Sequence, residues 1–249
     1  MRIIAVASLK GGAGKTAVSI FLSQLLSQRG PVLAVDLDHN NNLTDYFLRS
    51  VEIGKIESAN VYHAISGTRL IPDCLHTLCD TDDDSKSSRI SVLPATPDLA
   101  KAGLDLARDP GAILRFAKEL RRLDFTAIVI DTPPALCFEL SCALYAAQMI
   151  LSPVSLSRWT VQGFSLLRDE VSKVSRTTGK APRLMCLPVQ VSLAQEKRLR
   201  TSNLSGVCSF TETTIKKNAA IKSACDSGKP LKPGSGSYAE FRSLAQELV

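Results

Sequence analysis

Short apolar segments alternate with longer amphipathic segments along most of the 249-residue chain. Segments 3–8, 32–36 and 126–130 are apolar almost without interruption, which is typical of strands covered on both faces. The stretches between the apolar segments repeat apolar residues at helical spacing. This alternation predicts an α/β fold with a mainly parallel, doubly wound sheet that is flanked by helices on both faces.

The pattern assigns most of the chain to regular elements of a single domain that spans residues 1–249. The predicted strands are 3–8, 32–36, 90–93, 126–130, 148–153, 183–189 and 207–210. The predicted helices are 15–28, 111–122, 137–146, 161–176, 193–201, 215–227 and 238–248. Residues 50–89 have the weakest pattern and are predicted to be a variable region. Their acidic run, 80–88, favours a solvated loop and leaves an aspartate metal site as the alternative.

A glycine-rich segment, Ser-Leu-Lys-Gly-Gly-Ala-Gly-Lys-Thr at 8–16, joins the first predicted strand to the first predicted helix. Glycines let the backbone wrap closely around an anion, which the N–H groups and dipole of a helix start also attract. Lys15 can reach the β- and γ-phosphates of a nucleoside triphosphate, and the Thr16 hydroxyl can ligate Mg²⁺. The segment therefore predicts a P-loop for a nucleoside triphosphate and Mg²⁺.

The loop departs from the general P-loop pattern, because Leu9 replaces the first glycine and a second lysine, Lys10, lies inside it. This variant resembles the deviant Walker A loop of the ParA/MinD family of ATPases. The resemblance implies ATP as the nucleotide and a homodimer formed with ATP, in which Lys10 reaches the nucleotide of the other subunit. It implies catalytic roles for Lys10 and Lys15. The residues implied to contact ATP are Lys10, Gly11, Gly12, Ala13, Gly14, Lys15, Thr16 and Ala17.

Acidic residues lie at the ends of two apolar strands. Asp36 and Asp38 lie at the end of the strand 32–36, and Asp131 follows the strand 126–130. Ligands of parallel α/β sheets bind at the carboxyl ends of strands. One carboxylate there can organise Mg²⁺ and its water shell, and another can orient an attacking water. The sequence predicts Thr16, Asp36 and Asp131 as the metal-site residues.

Both acidic segments resemble the switch regions of the ParA/MinD family. Residues 36–44 resemble switch I, in which Asp38 is implied to orient the attacking water, and a helix N-cap is its alternative role. His39 and Asn40 stand where the family pattern has proline and glutamine, so the hydrolysis rate is left open. The Asp-Thr-Pro-Pro segment that begins at Asp131 resembles switch II.

Positive charge is concentrated in the C-terminal half of the chain. Residues 1–125 hold 15 basic and 15 acidic side chains, whereas residues 126–249 hold 15 basic and 9 acidic ones. This imbalance predicts a polyanionic partner, with a merely solvated basic face as the alternative. Aromatic residues are scarce in the basic surface region 173–232, so we expect non-specific phosphate contacts with double-stranded DNA. The candidate DNA-binding residues are Lys197, Arg198, Arg200, Lys216, Lys217 and Lys222.

The last predicted helix, 238–248, has one apolar face and a polar face that carries two glutamates and one arginine. Anionic lipid does not favour such a face, so we expect the helix to pack on the protein and not on a membrane. No apolar run reaches the length of a membrane span, and the first residues do not resemble a secretion signal. Seven scattered cysteines fit the reduced thiols of a cytoplasmic protein.

These features together predict a small ParA-like partition ATPase. Such a protein is expected to bind DNA non-specifically and to hydrolyse ATP slowly while it segregates a plasmid or chromosome. The resemblance implies a ParB-like centromere-binding protein as the partner and a cytoplasmic, nucleoid-associated location. Two alternatives stay open: a positioning ATPase of the same family for a polar or membrane complex, and a nucleotide-gated scaffold with negligible hydrolysis.

Overall fold

A nine-stranded, mostly parallel sheet lies at the centre of the structure, a computed structural model that describes residues 1–78, 89–109, 111–156, 160–202 and 208–248. The described strands are β1 (Arg2–Val6), β2 (Val32–Asp36), β3 (His76–Thr77), β4 (Ile90–Leu93), β5 (Ala127–Asp131), β6 (Met149–Val154), β7 (Arg183–Val191), β8 (Ser209–Phe210) and β9 (Ile215–Lys216). Their order is β3-β4-β2-β5-β1-β6-β7-β8, and β9 pairs with β7 beside this path. The pairs are parallel except for β3 with β4 at one edge.

Helices cover both faces of this sheet. The described helices are α1 (Lys15–Leu26), α2 (Asn42–Leu48), α3 (Ile53–Ser58), α4 (Val61–Ser66), α5 (Ala102–Asp105), α6 (Ala112–Leu120), α7 (Phe138–Ala146), α8 (Thr160–Thr178), α9 (Leu193–Arg200), α10 (Ala219–Ser227) and α11 (Gly236–Glu247). Along β1, Ile3 belongs to the core layer that contains Phe116 of α6, whereas Ile4 belongs to the layer that contains Phe21 of α1 and Phe241 of α11. Successive strand residues point to opposite faces, so both faces are buried. The predicted doubly wound α/β fold is confirmed.

The prediction of one helix over 215–227 is wrong at its start. Ile215 and Lys216 form β9, in which buried Ile215 pairs with Val189 of β7. Helix α10 begins after Asn218, whose side chain accepts a hydrogen bond from the backbone N–H of Ala220. The pairing of Ile215 and Lys216 with β7, together with the N-cap at Asn218, therefore overrides the helical spacing of the apolar residues.

The region between β2 and β4 contains more structure than its pattern predicts. The helices α2, α3 and α4 lie within 42–66, and β3 adds an antiparallel edge to the sheet. The predicted strand 207–210 begins outside the described residues, which hold β8 from Ser209 onward, and the acidic run 80–88 lies outside them as well. Among the described helices, none has the length and apolar character needed to cross a lipid bilayer.

The register of the sheet brings the three predicted motifs together at the carboxyl ends of its central strands. Strand β5 lies between β1 and β2, and Asp131 pairs with Val6 on one side and with Asp36 on the other. The glycine-rich segment leaves β1 at this level and leads into α1. The loop, Asp36 and Asp131 therefore meet where parallel α/β sheets bind their ligands.

Candidate functional site

The glycine-rich loop between β1 and α1 has the backbone of an anion cradle. Gly12 and Gly14 have φ angles of 70° and 79°, in the left-handed region that glycine adopts without steric cost. Gly14 is also the N-cap of α1, and no side chain caps this helix start. The cap residue therefore leaves the first N–H groups of α1 open to an anionic ligand such as a phosphate.

Lys15 begins α1 and lies beneath the loop with only 6% of its surface exposed. Its Nζ donates to the backbone carbonyl of Lys10 at 3.5 Å. Burial lowers the pKa of Lys15, and the nearby charges of Asp131 and Asp38 oppose this by raising it. The ammonium group is therefore held between the loop and two carboxylates, in reach of any anion that the loop binds.

Asp131 ends β5 and is completely buried. Its Oδ2 accepts a hydrogen bond from Thr16 Oγ1 at 2.7 Å, and its Oδ1 accepts one from Ser19 Oγ at 2.9 Å. Burial raises the pKa of Asp131 to about 6, and the two hydroxyl donors oppose the rise. The predicted metal residues Thr16 and Asp131 are thus in direct contact.

Asp36 ends β2 and is also completely buried. Its Oδ2 accepts hydrogen bonds from the backbone N–H of Thr44 at 2.9 Å and from Thr44 Oγ1 at 2.8 Å, and its Oδ1 accepts from the N–H of Asp38 at 3.0 Å. Burial raises the pKa of Asp36 to about 7, and the charge of Asp131 adds to the rise. Asp36 therefore holds the 36–44 segment in place, and ligation of a metal by Asp36 stays a prediction.

Asp38 is 7% exposed and lies near the ammonium group of Lys15. Its Oδ1 accepts hydrogen bonds from the backbone N–H of Asn40 at 3.0 Å and from Asn40 Nδ2 at 2.9 Å. The N-cap of α2 is Asn41, in a left-handed conformation with φ 47°, so Asp38 does not cap that helix. One of the two departures from the switch I pattern, Asn40, therefore contacts the carboxylate that was expected to orient water.

Lys10 is exposed at the surface of the loop. Its Nζ donates to Ser155 Oγ at 3.2 Å, just past the end of β6 in the same chain. This exposed hydrogen bond costs little to break. The predicted reach of Lys10 into another subunit stays a prediction.

A cavity of about 660 Å³ opens beside the loop. Gly14, Thr16 and Ala17 line one side of it, and Val189 and Gln190 of β7 line the other. This volume is in the range of ligand pockets. The resemblance to the ParA/MinD family implies 188–192 and Phe210 as the neighbourhood of adenine, and both β7 residues fall within 188–192. Phe210, expected in the same neighbourhood, lies elsewhere, under the Arg200 guanidinium at 5.5 Å from its ring centre.

Gln190 falls within 188–192, but sequence reasoning did not predict its contact with the loop. It has a φ of 55°, which is strained for a residue other than glycine, and it lies at the irregularity where β7 pairs with β9. Its Nε2 donates to the carbonyl of Gly12 at 3.4 Å. A glutamine in an apolar strand carries no signal for this contact, because the strain arises from the pairing of β7 with a strand that the pattern did not predict.

Comparisons with known proteins agree with this geometry. A family model described as an AAA domain matches residues 1–184. The chromosome-partitioning ATPase Soj of Thermus thermophilus is 30% identical over 262 residues, covering 100% of this chain and 96% of the relative. The chain belongs to the ParA-like family of partition ATPases.

Solved structures share the ParA-like fold. A plasmid partition protein of Borrelia burgdorferi, bound to AMPPNP, superposes with a TM-score of 0.81 at 20% identity and covers 98% of this chain and 97% of its own. A cobyrinic acid a,c-diamide synthase of Mycobacterium smegmatis, with a bound ATP analogue and magnesium, has a TM-score of 0.79 at 23% identity, with 99% and 93% covered. The fold therefore serves partition proteins and a biosynthetic enzyme alike, and the sequence relatives assign this chain to the partition ATPases.

The donor set at the loop of this ParA-like chain fits Mg²⁺. Thr16 Oγ1 and Asp131 Oδ2 are oxygen donors in contact with each other. Mg²⁺ prefers oxygen ligands and is typically held by one or two protein groups together with nucleotide phosphates and water. A fully buried carboxylate beside a P-loop hydroxyl meets that requirement.

The six candidate DNA-binding residues fall into two groups. Lys197 and Arg198 are exposed on α9. Arg200, on the same helix, pairs with Glu196 at 2.9 Å and donates to Thr214, so its guanidinium is already engaged inside the protein. The other three line the cavity beside the loop: Lys216, which lies 3.9 Å from Glu240, and the exposed residues Lys217 and Lys222.

Proposed function

We propose that this chain is an ATP-dependent partition ATPase that dimerises with ATP, binds double-stranded DNA non-specifically and hydrolyses ATP to move a plasmid or chromosome. The observation that carries the proposal is the contact of Thr16 with Asp131 at the mouth of an uncapped glycine loop, in a chain similar to a chromosome-partitioning ATPase. A ParB-like centromere-binding protein is the proposed partner. The whole chain, 1–249, is proposed to act as one domain in the cytoplasm, associated with the nucleoid.

ATP binding is proposed to rest on the loop and on the cavity beside it. The N–H groups of 11–17 would bind the phosphates, and the Lys15 ammonium would neutralise their charge. The base would enter the cavity between α1 and β7, where Gln190 already contacts the loop. Mg²⁺ held by Thr16 and Asp131 would neutralise charge on the terminal phosphates.

Hydrolysis is proposed to use Asp38 as the residue that orients the attacking water. Asp38 is buried near the ammonium group of Lys15, which is proposed to neutralise the phosphates. Its Oδ1 already accepts two hydrogen bonds from Asn40, which leaves Oδ2 for the water. This contact supports slow turnover, because it restrains the carboxylate and reduces its strength as an acceptor.

Dimerisation is proposed to release Lys10 from Ser155 and to send its ammonium group to the ATP of the second subunit. Its exposed hydrogen bond to Ser155 is a small barrier to that movement. Lys10→Ala should therefore abolish ATP-dependent dimers on a sizing column. Lys55→Ala, which removes a lysine from α3, is the control and should leave them intact.

DNA binding is proposed to use the exposed cations of α9, Lys197 and Arg198, with Lys217 and Lys222 near the cavity. Two copies of these groups in a dimer would act together, so that weak phosphate contacts add up to stable binding. Arg200 contributes to the shape of the surface more than to DNA contact, because Glu196 and Thr214 engage its guanidinium.

Gel shifts on several unrelated duplexes, with ATP, ADP or no nucleotide and across a salt series, test this function. We expect binding with ATP only, without preference among the duplexes, and a loss of about a thousandfold between 50 and 200 mM salt, as about six phosphate contacts would give. The double variant Lys197→Ala/Arg198→Ala should bind more weakly. Lys118→Ala, a charge loss on α6, should not. Equal binding with ADP and ATP would contradict the proposal.

A nucleotide-gated scaffold is the second candidate, and the contact of Asn40 with Asp38 favours it. If this contact removes Asp38 from catalysis, the protein would bind ATP and DNA without appreciable turnover. Phosphate release compared between the wild type and Asp38→Ala separates the two functions. A clear loss in the variant supports the ATPase, and equal rates support the scaffold.

A further inference from the structure

Helix α1 carries two completely buried serines one turn apart, Ser19 and Ser23. Ser23 Oγ donates to the backbone carbonyl of Ser19 at 2.7 Å, which is the usual way for a buried helical serine to satisfy its hydroxyl. Ser19 Oγ has the equivalent carbonyl, that of Lys15, at 3.1 Å, and it also lies 2.9 Å from Asp131 Oδ1. The two serines thus share a helix and a degree of burial but differ in their contact with the carboxylate.

A serine hydroxyl carries one proton and donates one hydrogen bond at a time. For Ser19, the carboxylate of Asp131 is both nearer than the carbonyl of Lys15 and the stronger acceptor, because it carries a charge. Asp131 is fully buried, so its ionised form depends on the donors around it. The geometry therefore favours donation from Ser19 to Asp131.

The two oxygens of Asp131 have separate donors. Ser19, in the second turn of α1, donates to Oδ1. Thr16, in the first turn beside the loop, donates to Oδ2 at 2.7 Å. A carboxylate held by one oxygen cannot rotate freely about its terminal bond. Its other oxygen, Oδ2, therefore stays pointed towards Thr16, where the proposed Mg²⁺ would be bound.

We propose that Ser19 is a positioning residue that fixes the carboxylate of Asp131 for the metal of the nucleotide site. This inference rests on the proposed function, because it assigns Asp131 and Thr16 to Mg²⁺. Ser19 does not touch the nucleotide, and it acts through Asp131. Hydrogen-bond partners that orient a metal ligand in this way typically change metal affinity by 10- to 100-fold when they are removed.

The test is Mn²⁺ binding to the protein–ADP complex, followed by electron paramagnetic resonance, in Ser19→Ala and in its matched control Ser23→Ala. Both variants delete one buried hydroxyl from α1, but the control leaves the contact with Asp131 in place. We expect Ser19→Ala to weaken Mn²⁺ binding about tenfold and Ser23→Ala to change it less than twofold. Ser19→Thr keeps the hydroxyl and should retain Mn²⁺ affinity. ADP binding in EDTA should stay unchanged in all three.

Equal Mn²⁺ affinities in Ser19→Ala and Ser23→Ala would overturn the positioning role alone. A wild type that binds neither ADP nor Mn²⁺–ADP would overturn the proposed function, and with it this inference. Thermal melting of each variant checks that it folds. If Ser19→Ala does not fold, Ser19→Cys, whose thiol is a much weaker donor, takes its place: a loss of Mn²⁺ affinity in Ser19→Cys but not in Ser23→Ala supports the role, and equal affinities contradict it.

Discussion

Asp131→Asn should make the nucleotide-free protein more stable above neutral pH while it abolishes Mg²⁺–nucleotide binding. The wild-type carboxylate is fully buried, and its pKa is raised from 3.8 to about 6. This rise corresponds to about 3 kcal/mol of unfavourable free energy for the ionised form in the folded state. This pKa already includes the opposing attraction of Lys15, so the gain is reduced mainly because the new amide has to turn one of the hydroxyl donors around. We expect a net stabilisation of about 1–2 kcal/mol at pH 8.

The hydrogen bonds of Asp131 make asparagine acceptable at this position. Among the described residues, its side chain accepts from the hydroxyls of Thr16 and Ser19, and a hydroxyl can turn from donor to acceptor when it faces an amide –NH₂. Asp36 is the matched comparison, because two of its three donors are the fixed backbone N–H groups of Asp38 and Thr44. Asp36→Asn should therefore lower stability at every pH, since the new amide has to face a donor.

The direction of the pKa shift of Asp131 determines how the stability difference between the variant and the wild type changes with pH. The folded pKa of Asp131 is above the unfolded value, so the folded state binds a proton that the unfolded state has lost. The stability that comes from the neutral carboxyl is present below about pH 4 and is lost as the pH rises through about 6. The advantage of Asp131→Asn should therefore be small at pH 5 and larger at pH 8.

Urea unfolding followed by circular dichroism, at pH 5 and pH 8 without nucleotide, measures this difference directly. Calorimetric titration with Mg²⁺–ADP then checks the expected loss of binding. An Asp131→Asn protein that is less stable than the wild type at pH 8 would refute the reasoning. So would the same difference in stability at both pH values.

Three further substitutions test other parts of the structure. Thr44→Val removes the hydroxyl that donates to buried Asp36, and urea unfolding should show a loss of about 2–4 kcal/mol, whereas a loss below about 0.5 kcal/mol would contradict that role. Gly14→Ala places a side chain at φ 79° and should weaken Mg²⁺–ADP binding in calorimetry, with unchanged affinity as the contrary result. Arg200→Ala should lower the melting temperature, because Arg200 pairs with Glu196. Exposed Arg198 differs: Arg198→Ala should lower DNA affinity at an unchanged melting temperature. A lower melting temperature in Arg198→Ala and an unchanged one in Arg200→Ala would refute these two roles.

The position of the site could be predicted from the sequence because parallel sheets constrain it strongly. Apolar runs identified β1, β2 and β5, and the residues that end or follow these runs had to meet at one edge once the strands were parallel. This prediction required only that the three strands are neighbours, and not the order of the whole sheet. Any order with these three strands adjacent brings Asp36 and Asp131 to the same level as the loop.

The contacts that hold the site could not be predicted, because each depends on packing between elements distant in the chain. Ser19 reads as an ordinary helical serine until β5 is placed beside α1. Gln190 acquires its left-handed backbone from pairing with β9, a strand hidden inside a segment with helical spacing. Arg200 looks like a DNA contact from its charge alone, and only its proximity to Glu196 and Phe210 shows that it is engaged.

The hydrogen bonds of the two buried carboxylates, Asp36 and Asp131, indicate different roles for them in the site. Asp36 accepts from the 36–44 segment through both oxygens, so its charge is stabilised mainly by backbone and side-chain donors that already belong to the fold. Asp131 accepts only from hydroxyls in these contacts, which can turn away when a cation arrives. A cation at the loop can therefore approach Asp131 Oδ2 at the cost of one rotated hydroxyl, whereas ligation by Asp36 would break a bond that holds the segment of Asp38. The arrangement favours Asp131 over Asp36 as a metal ligand, and it gives Asp36 the role of holding the segment that contains Asp38.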